Sequence, residues 1–133
     1  MNAFNAANSY AKLGIQTSVM SASPYRLISM LFDGAQTAIG AARIHMESGN
    51  LVEKGLSISK ALDIVNSGLL AAIDYERGGE IAERLAQLYD YTARLLLKAN
   101  LHNDLAALEE ASMLLEQIAS AWQEIGHQQS DGL

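Results

Sequence analysis

Asp74-Tyr75-Glu76-Arg77-Gly78-Gly79-Glu80-Ile81-Ala82 begins a stretch that passes through Leu88-Tyr89-Asp90-Tyr91 and closes with Lys98-Ala99-Asn100-Leu101-His102-Asn103-Asp104. It reads as a whole helix held between its own stop signals. Gly78-Gly79 breaks the chain before it, because glycine is a poor helix interior residue. From Glu80 to Asn100 no Gly or Pro interrupts, and apolar side chains recur at Ile81, Leu85, Leu88, Leu95 and Ala99, with Thr92 the one polar step. Steps of three and four place that set on one side of a helix. Asn103 is then expected to cap the next helix.

The same punctuation divides the rest of the chain. Ser23-Pro24 starts a first helix: Ser is a good N-cap, and Pro suits the first helical position, where its missing N–H is not needed. This helix reaches about Ser48, where Gly49 takes the left-handed end position. Asn50 and Glu53 have the spacing of a capping box for helix two, which is expected to run to about Arg77. Helix three spans about Glu80 to Asn100, and helix four runs to about Ile125, before Gly126. The core stripes are Leu31, Ala35, Ala38, Ala42 on helix one and Ile58, Leu62, Val65, Leu69, Ala72 on helix two. On helix four they are Leu108, Ala111, Leu115, Ile118, Trp122, Ile125. Helices of about 25 residues are about 37 Å long, and short connections make neighbours antiparallel. The expectation is an all-α antiparallel four-helix bundle over residues 23–126. An N-terminal arm, residues 1–22, packs on it as a short helix or strap, and residues 127–133 form a flexible tail.

Composition agrees with an all-helical domain. Half of the 133 residues are hydrophobic, only 6% are aromatic, and one proline is present, so few breakers divide the chain. Cysteine is absent, which removes disulfides, thiolate metal sites and cysteine nucleophiles. No apolar run approaches the ~20 residues of a membrane span. Met1-Asn2-Ala3-Phe4-Asn5 has no basic n-region, so a cytoplasmic protein without membrane insertion is expected. The net charge is −6, and all of it lies beyond Lys98, in Asp104, Glu109, Glu110, Glu116, Glu124 and Asp131. An acidic chain without a basic stripe argues against nucleic acid. The acidic run reads as a solvated helix face or a docking face for a basic partner.

Catalytic and metal-binding patterns are missing. His45, His102 and His127 fall near helix ends and share no ligand spacing. A di-metal bundle site needs two Glu-x-x-His pairs plus two glutamates; this chain has one match, Glu124-Ile125-Gly126-His127, across a glycine. No serine has a nucleophile-elbow context, and Gly78-Gly79 precedes no Lys-Ser/Thr of a phosphate loop. No enzyme and no cofactor is expected. What stands out instead is apolar surface off the core stripes. On helix two, Val52, Leu56 and Leu70 point about 140–180° from Val65, since successive helical residues are rotated by about 100°. On helix three, Ala82, Ala86, Ala93 and Leu97 form a second stripe of mostly small residues. Such a groove suits an amphipathic partner helix or the chain's own arm, which carries Phe4, Tyr10, Leu13, Ile15, Val19 and Met20. Of Tyr89 and Tyr91, one faces the core side, and Tyr91 is the candidate partner contact.

Met20-Ser21-Ala22-Ser23-Pro24 with Leu27-Ile28 and Met30-Leu31-Phe32-Asp33-Gly34-Ala35 resembles the opening helix of the flagellin-specific secretion chaperones. Gly78-Gly79-Glu80-Ile81-Ala82, Leu88-Tyr89-Asp90-Tyr91, Ala99-Asn100-Leu101 with Asn103-Asp104, and Ala121-Trp122 resemble further parts of that family, in order and at the right spacings. Tyr10 stands where the family has an N-terminal tyrosine. Thr92 replaces a usual apolar residue, and Leu96 stands where a basic residue is common, a change expected to weaken a polar contact. The resemblance implies a cytoplasmic chaperone that binds the C-terminal helical segment of flagellin and prevents its premature polymerisation. It further implies delivery to a flagellar export gate component and, for some members, binding of a regulator of flagellin expression. On this reading flagellin displaces the arm from helices two and three, and loss of the arm leaves weak self-association. A small helical regulator of a non-flagellin protein is the alternative.

Overall fold

Ser23 starts the ordered framework as its sequence context predicts. In a computed structural model, which describes residues 23–131, its Oγ accepts the Arg26 N–H at 3.2 Å and Pro24 takes the first helical position. The elements are α1 (Pro24–Glu47), α2 (Leu51–Asp63, continued by the π-helical segment Ile64–Leu70), α3 (Tyr75–His102) and α4 (Leu105–Asp131). Short turns connect them into an antiparallel four-helix bundle, in which α1 packs on α2 and α4, and α3 packs on α4 and α2. Gly49, with φ +76°, supplies the left-handed turn after α1. The expected arm, residues 1–22, lies outside the described residues.

Several helix boundaries differ from the sequence expectation. The second helix ends at Leu70, not at Arg77, because Asp74 is the stronger signal: its Oδ1 accepts the Arg77 N–H at 3.1 Å and starts α3 at Tyr75. Gly78-Gly79 therefore bends α3 after one turn instead of preceding it. Gly79 sits at φ 50°, ψ −123°, a backbone conformation that side chains with a Cβ avoid. Asn50 occupies the N-cap position of α2 without capping it; its Nδ2 lies 3.4 Å from His45 Nδ1. Asn103 does not cap α4. It ends α3 in the left-handed conformation, φ 50°, and the neighbouring Asp104 caps α4 by accepting the Ala107 N–H at 3.1 Å. Gly126 does not stop α4, which continues to Asp131.

The core is filled by Leu31 and Ile39 of α1, Ile58, Ile64 and Leu69 of α2, Leu96 of α3, and Leu108 and Leu115 of α4. Ala35, Ala38 and Ala42 are buried between them, and their small size lets the helices approach closely. Leu96 has no exposed surface, so the expected weakening of a polar contact there is replaced by full apolar burial. The buried polar residues Thr92 and Lys54 are both hydrogen-bonded. Thr92 Oγ1 donates to the Leu88 carbonyl at 2.8 Å. Lys54, 5% exposed, donates from Nζ to the Asn100 carbonyl at 2.8 Å and ties the start of α2 to the end of α3. Gln36 and Ser112 join α1 to α4 reciprocally: Nε2 donates to the Ser112 carbonyl, and Ser112 Oγ donates to Gln36 Oε1, both at 2.8 Å. An unmade bond at such a place costs about 1–3 kcal/mol, which fixes helix register.

Two glycines in helices have opposite expected responses to alanine. Gly79→Ala forces a Cβ into a glycine-only conformation and is expected to cost about 1–3 kcal/mol. Gly40, in the interior of α1, has nothing within 4 Å of an added Cβ, and Gly40→Ala should stabilise by about 0.5–1 kcal/mol. Urea midpoints of the two variants should move in opposite directions.

Candidate partner-binding groove

Helix α3 carries more apolar surface than one core face accommodates, and its bulky side chains are on the open side. Ala82 is 5% exposed and Ala93 is 7% exposed, whereas Ile81 is 77% exposed and Leu88 is 40% exposed. In the N-terminal half of α3 the expected assignment is thus rotated by about one residue, or 100°, whereas Thr92, Leu95 and Ala99 are buried and Leu97 is exposed as expected. The alanines expected to line an outer groove turn inward, and two members of the expected core stripe face out. Close packing explains the direction. The small side chains let α3 sit near its neighbours, and Tyr89, three residues before Thr92, and Leu96, three residues after Ala93, fill the space beneath.

Between the outward edge of α3 and the C-terminal half of α4 lies an open groove of about 510 Å³. Ile81, Leu85 and Leu88 form one side, and Leu114, Ile118, Ala121 and Ile125 form the other. Phe32 and Tyr89 form the floor, their ring centroids 6.5 Å apart and tilted by 48°. Arg84 and Gln117 supply polar rim groups. Trp122 closes the end, stacked on Tyr25 with centroids 5.4 Å apart and planes within 16°. Its indole N–H donates to the Tyr25 carbonyl at 3.2 Å. A smaller hollow of about 250 Å³ lies at the α2–α3 turn, lined by Ile28, Leu69, Ala72 and Ile73, and shares Ile81, Leu85, Tyr89 and Trp122 with the first.

A second apolar region occurs at the opposite end of α3. Leu51, Val52 and Leu56 are exposed on α2, and Leu97 and Leu101 are exposed on α3. The two helices meet here, through Lys54 on the Asn100 carbonyl and Gly55 beside the Asn100 side chain. Ile81 and Leu97 are about 24 Å apart along the helix at 1.5 Å per residue.

Of the sequence-derived candidates, Leu56, Leu97 and Tyr91 are exposed. Ala86 is half-buried, and Leu70 is half-buried against the core. Ala82 and Ala93 belong to the interior, and Tyr10 lies outside the described residues. The structure brings Leu56 and Leu97 to one end of the bundle but does not join them to Ala82 or Leu70 in one groove. The residues missed as surface are Ile81, Leu88 and Ile125. Their signal was present in the sequence: α3 has two adjacent apolar stripes, and only one of them fits inside. Among the described residues no group of three or more His, Asp or Glu side chains converges as a metal site. No described helix is long and apolar enough to cross a membrane.

A family model described as flagellar protein FliS matches residues 6–129. The chain belongs to the FliS family. The flagellar secretion chaperone FliS of Salmonella typhimurium is 53% identical to it over 87% of this chain and 86% of its own length. The chaperone of the same name from Escherichia coli is 43% identical over 93% and 91%, respectively. The flagellar secretion chaperone FliSB of Pseudomonas aeruginosa is 41% identical over 96% and 100%. A secretion chaperone works by binding, not by catalysis; the groove between α3 and α4 is apolar apart from the rim groups Arg84 and Gln117.

Tyr91 lies outside the groove, where its hydroxyl donates to Glu110 Oε2 at 2.7 Å and links α3 to α4. That hydrogen bond, reinforced by the carboxylate's charge, raises the Tyr91 pKa above 10.0. Burial raises that of Tyr89. In the unfolded chain both phenols ionise near their ordinary value, about 10. The neutral forms favour the folded state, so their contribution is complete below pH 10 and is lost as pH rises through the folded-state values. Urea midpoints should therefore fall as pH increases above 10, and Tyr91→Phe should make that fall shallower.

Proposed function

We propose that this protein holds the C-terminal helical segment of newly made flagellin in the cytoplasm, prevents its premature polymerisation, and delivers it to a component of the flagellar export gate. The observation that carries this reading is the apolar groove between α3 and α4, in a chain of the FliS family. A segment that polymerises through apolar helix faces must have those faces covered until export. A long groove flanked by aliphatic residues, with polar groups only at its rim, accepts the apolar side of an amphipathic helix. A stable protein–protein interface buries about 1,600 Å² in total. The groove and the region around Leu56 and Leu97 lie at opposite ends of α3, so an extended client that contacts both reaches that area better than a single short helix. The surplus acidic residues of α4 remain available for the export component or for a regulator of flagellin expression.

Ile81 and Leu88 are exposed, so a charge at either disturbs the groove without entering the core. The double variant Ile81→Glu/Leu88→Glu is expected to keep its far-ultraviolet circular dichroism and to bind a flagellin C-terminal peptide at least tenfold more weakly by titration calorimetry. Leu56→Glu/Leu97→Glu should weaken binding of a longer segment more than that of a short one. A wild-type chain with no affinity for the flagellin segment would refute the assignment.

The N-terminal arm is the resident cover in this scheme. Ser23, the first described residue, is followed closely by Tyr25, which packs on the groove's end wall. Removal of residues 1–18 uncovers apolar surface and should raise self-association in light scattering, with flagellin peptide reversing it. A truncated chain that stays monomeric would refute the cover.

A further inference from the structure

We propose that Gly126 and Tyr25 are positioning residues for client binding, because together they fix Trp122 as the partition between the two apolar hollows. This proposal rests on the flagellin-chaperone reading above. Trp122 lines both hollows together with Ile81, Leu85 and Tyr89 of α3, and its indole is the part that α4 contributes to the wall between the α3–α4 groove and the smaller hollow at the α2–α3 turn. A client helix laid across this end would seat one apolar side chain on each face of the partition. The angle of the indole then sets the spacing that a client must match.

The indole is held from α1, by the Tyr25 ring stacked on it and by the Tyr25 carbonyl that accepts its N–H. Gly126 makes this possible. It lies one turn beyond Trp122 on the same side of α4, is buried, and is followed by further helix to Asp131. Glycine in that position is not a helix stop. A Cβ there would fall on Cε2, Cζ and the hydroxyl of the Tyr25 ring. The missing side chain is the space that the ring occupies, and the ring in turn backs the indole.

The atoms that a Cβ would meet are the far end of a side chain with two free torsions. Alanine at position 126 therefore moves the ring and leaves the helix intact, which separates positioning from folding. Trp122 is the single tryptophan of the chain, so its emission reports the partition directly. The test uses the full chain and a flagellin C-terminal peptide, and compares wild type with Gly126→Ala, Tyr25→Ala and Tyr25→Phe. The first two are expected to keep the wild-type helix content, to shift Trp122 emission to the red, to become more accessible to acrylamide, and to bind the peptide at least tenfold more weakly. Tyr25→Phe keeps both the stack and the carbonyl and should match wild type in all four readouts. If Gly126→Ala fails to fold, Tyr25→Ala decides alone: weakened binding supports the role, and wild-type affinity overturns it. Wild-type emission and affinity in both alanine variants overturn the positioning role and leave the flagellin assignment standing. A wild-type chain that does not bind the peptide overturns the client assignment and this role with it.

Discussion

The close packing of the small-residue edge of α3 determines what the other surfaces look like. Ala82, Ala93 and Ala99 face inward beside Leu96, and their size brings α3 near the other helices. The same helix also carries Ile81, Leu85 and Leu88, one residue round the arc. A helix cannot bury a whole wide apolar arc in a four-helix bundle, because each of its neighbours covers only a limited sector. Burying the alanines leaves the branched side chains at the edge, where they meet the equally incomplete edge of α4, Ile118 and Ile125. The groove is thus the remainder of core packing, made of core-type residues.

Such a remainder keeps its shape only if the helices cannot rotate to close it. The polar contacts between helices act on that freedom. Gln36 and Ser112 exchange two hydrogen bonds between α1 and α4, and a slip of either helix would leave four half-buried polar atoms without these partners. Lys54 places its ammonium group on the last carbonyls of α3, where the negative end of the helix dipole also favours it. Surface ion pairs such as Arg84–Glu80 at 2.9 Å add little to this, since solvent screens them. The register is therefore held by a few buried, directional bonds, and the open groove is a property of the folded framework.

Much of that framework is legible in the sequence, for reasons that are local. Ser23-Pro24 and Gly49 act within one turn, so their roles at the ends of α1 follow from residue type alone. The helical period likewise identifies the fully buried set Leu108, Ala111 and Leu115. Failures occur where two signals compete or where a distant residue decides. Gly78-Gly79 looks like a boundary, but Asp74 captures the helix start four residues earlier, and the glycines become a bend. Gly126 looks like a stop, but the ring of Tyr25, about a hundred residues away, explains it. The exchange of Ala82 and Ala93 for Ile81 and Leu88 has the same origin. Periodicity defines the centre of an apolar arc to within about one residue, and one residue is 100°. Which edge goes inside depends on the neighbours' shapes, which no local pattern contains. Leu56 and Leu97, by contrast, stand far enough from every stripe to be read as surface directly.

A chaperone for a self-assembling helical segment has to meet two opposed requirements, and leftover core surface meets both. Its binding face must be apolar enough to compete with the client's own polymerisation contacts, each buried CH₂ being worth about 0.8 kcal/mol. The same face must not drive the chaperone itself to aggregate. Dividing the apolar surface satisfies the second condition. One region lies around Ile81 and Leu88 and another around Leu56 and Leu97, with Leu97 about 24 Å from Ile81 along α3. A client that spans both gains the sum of their contributions, because the second contact is made at high effective concentration once the first has formed. A short apolar segment that meets one region gains only part of it. Discrimination between a long helical export client and incidental apolar peptides then follows from the separation of the two regions along a rigid helix, without any single residue of high affinity.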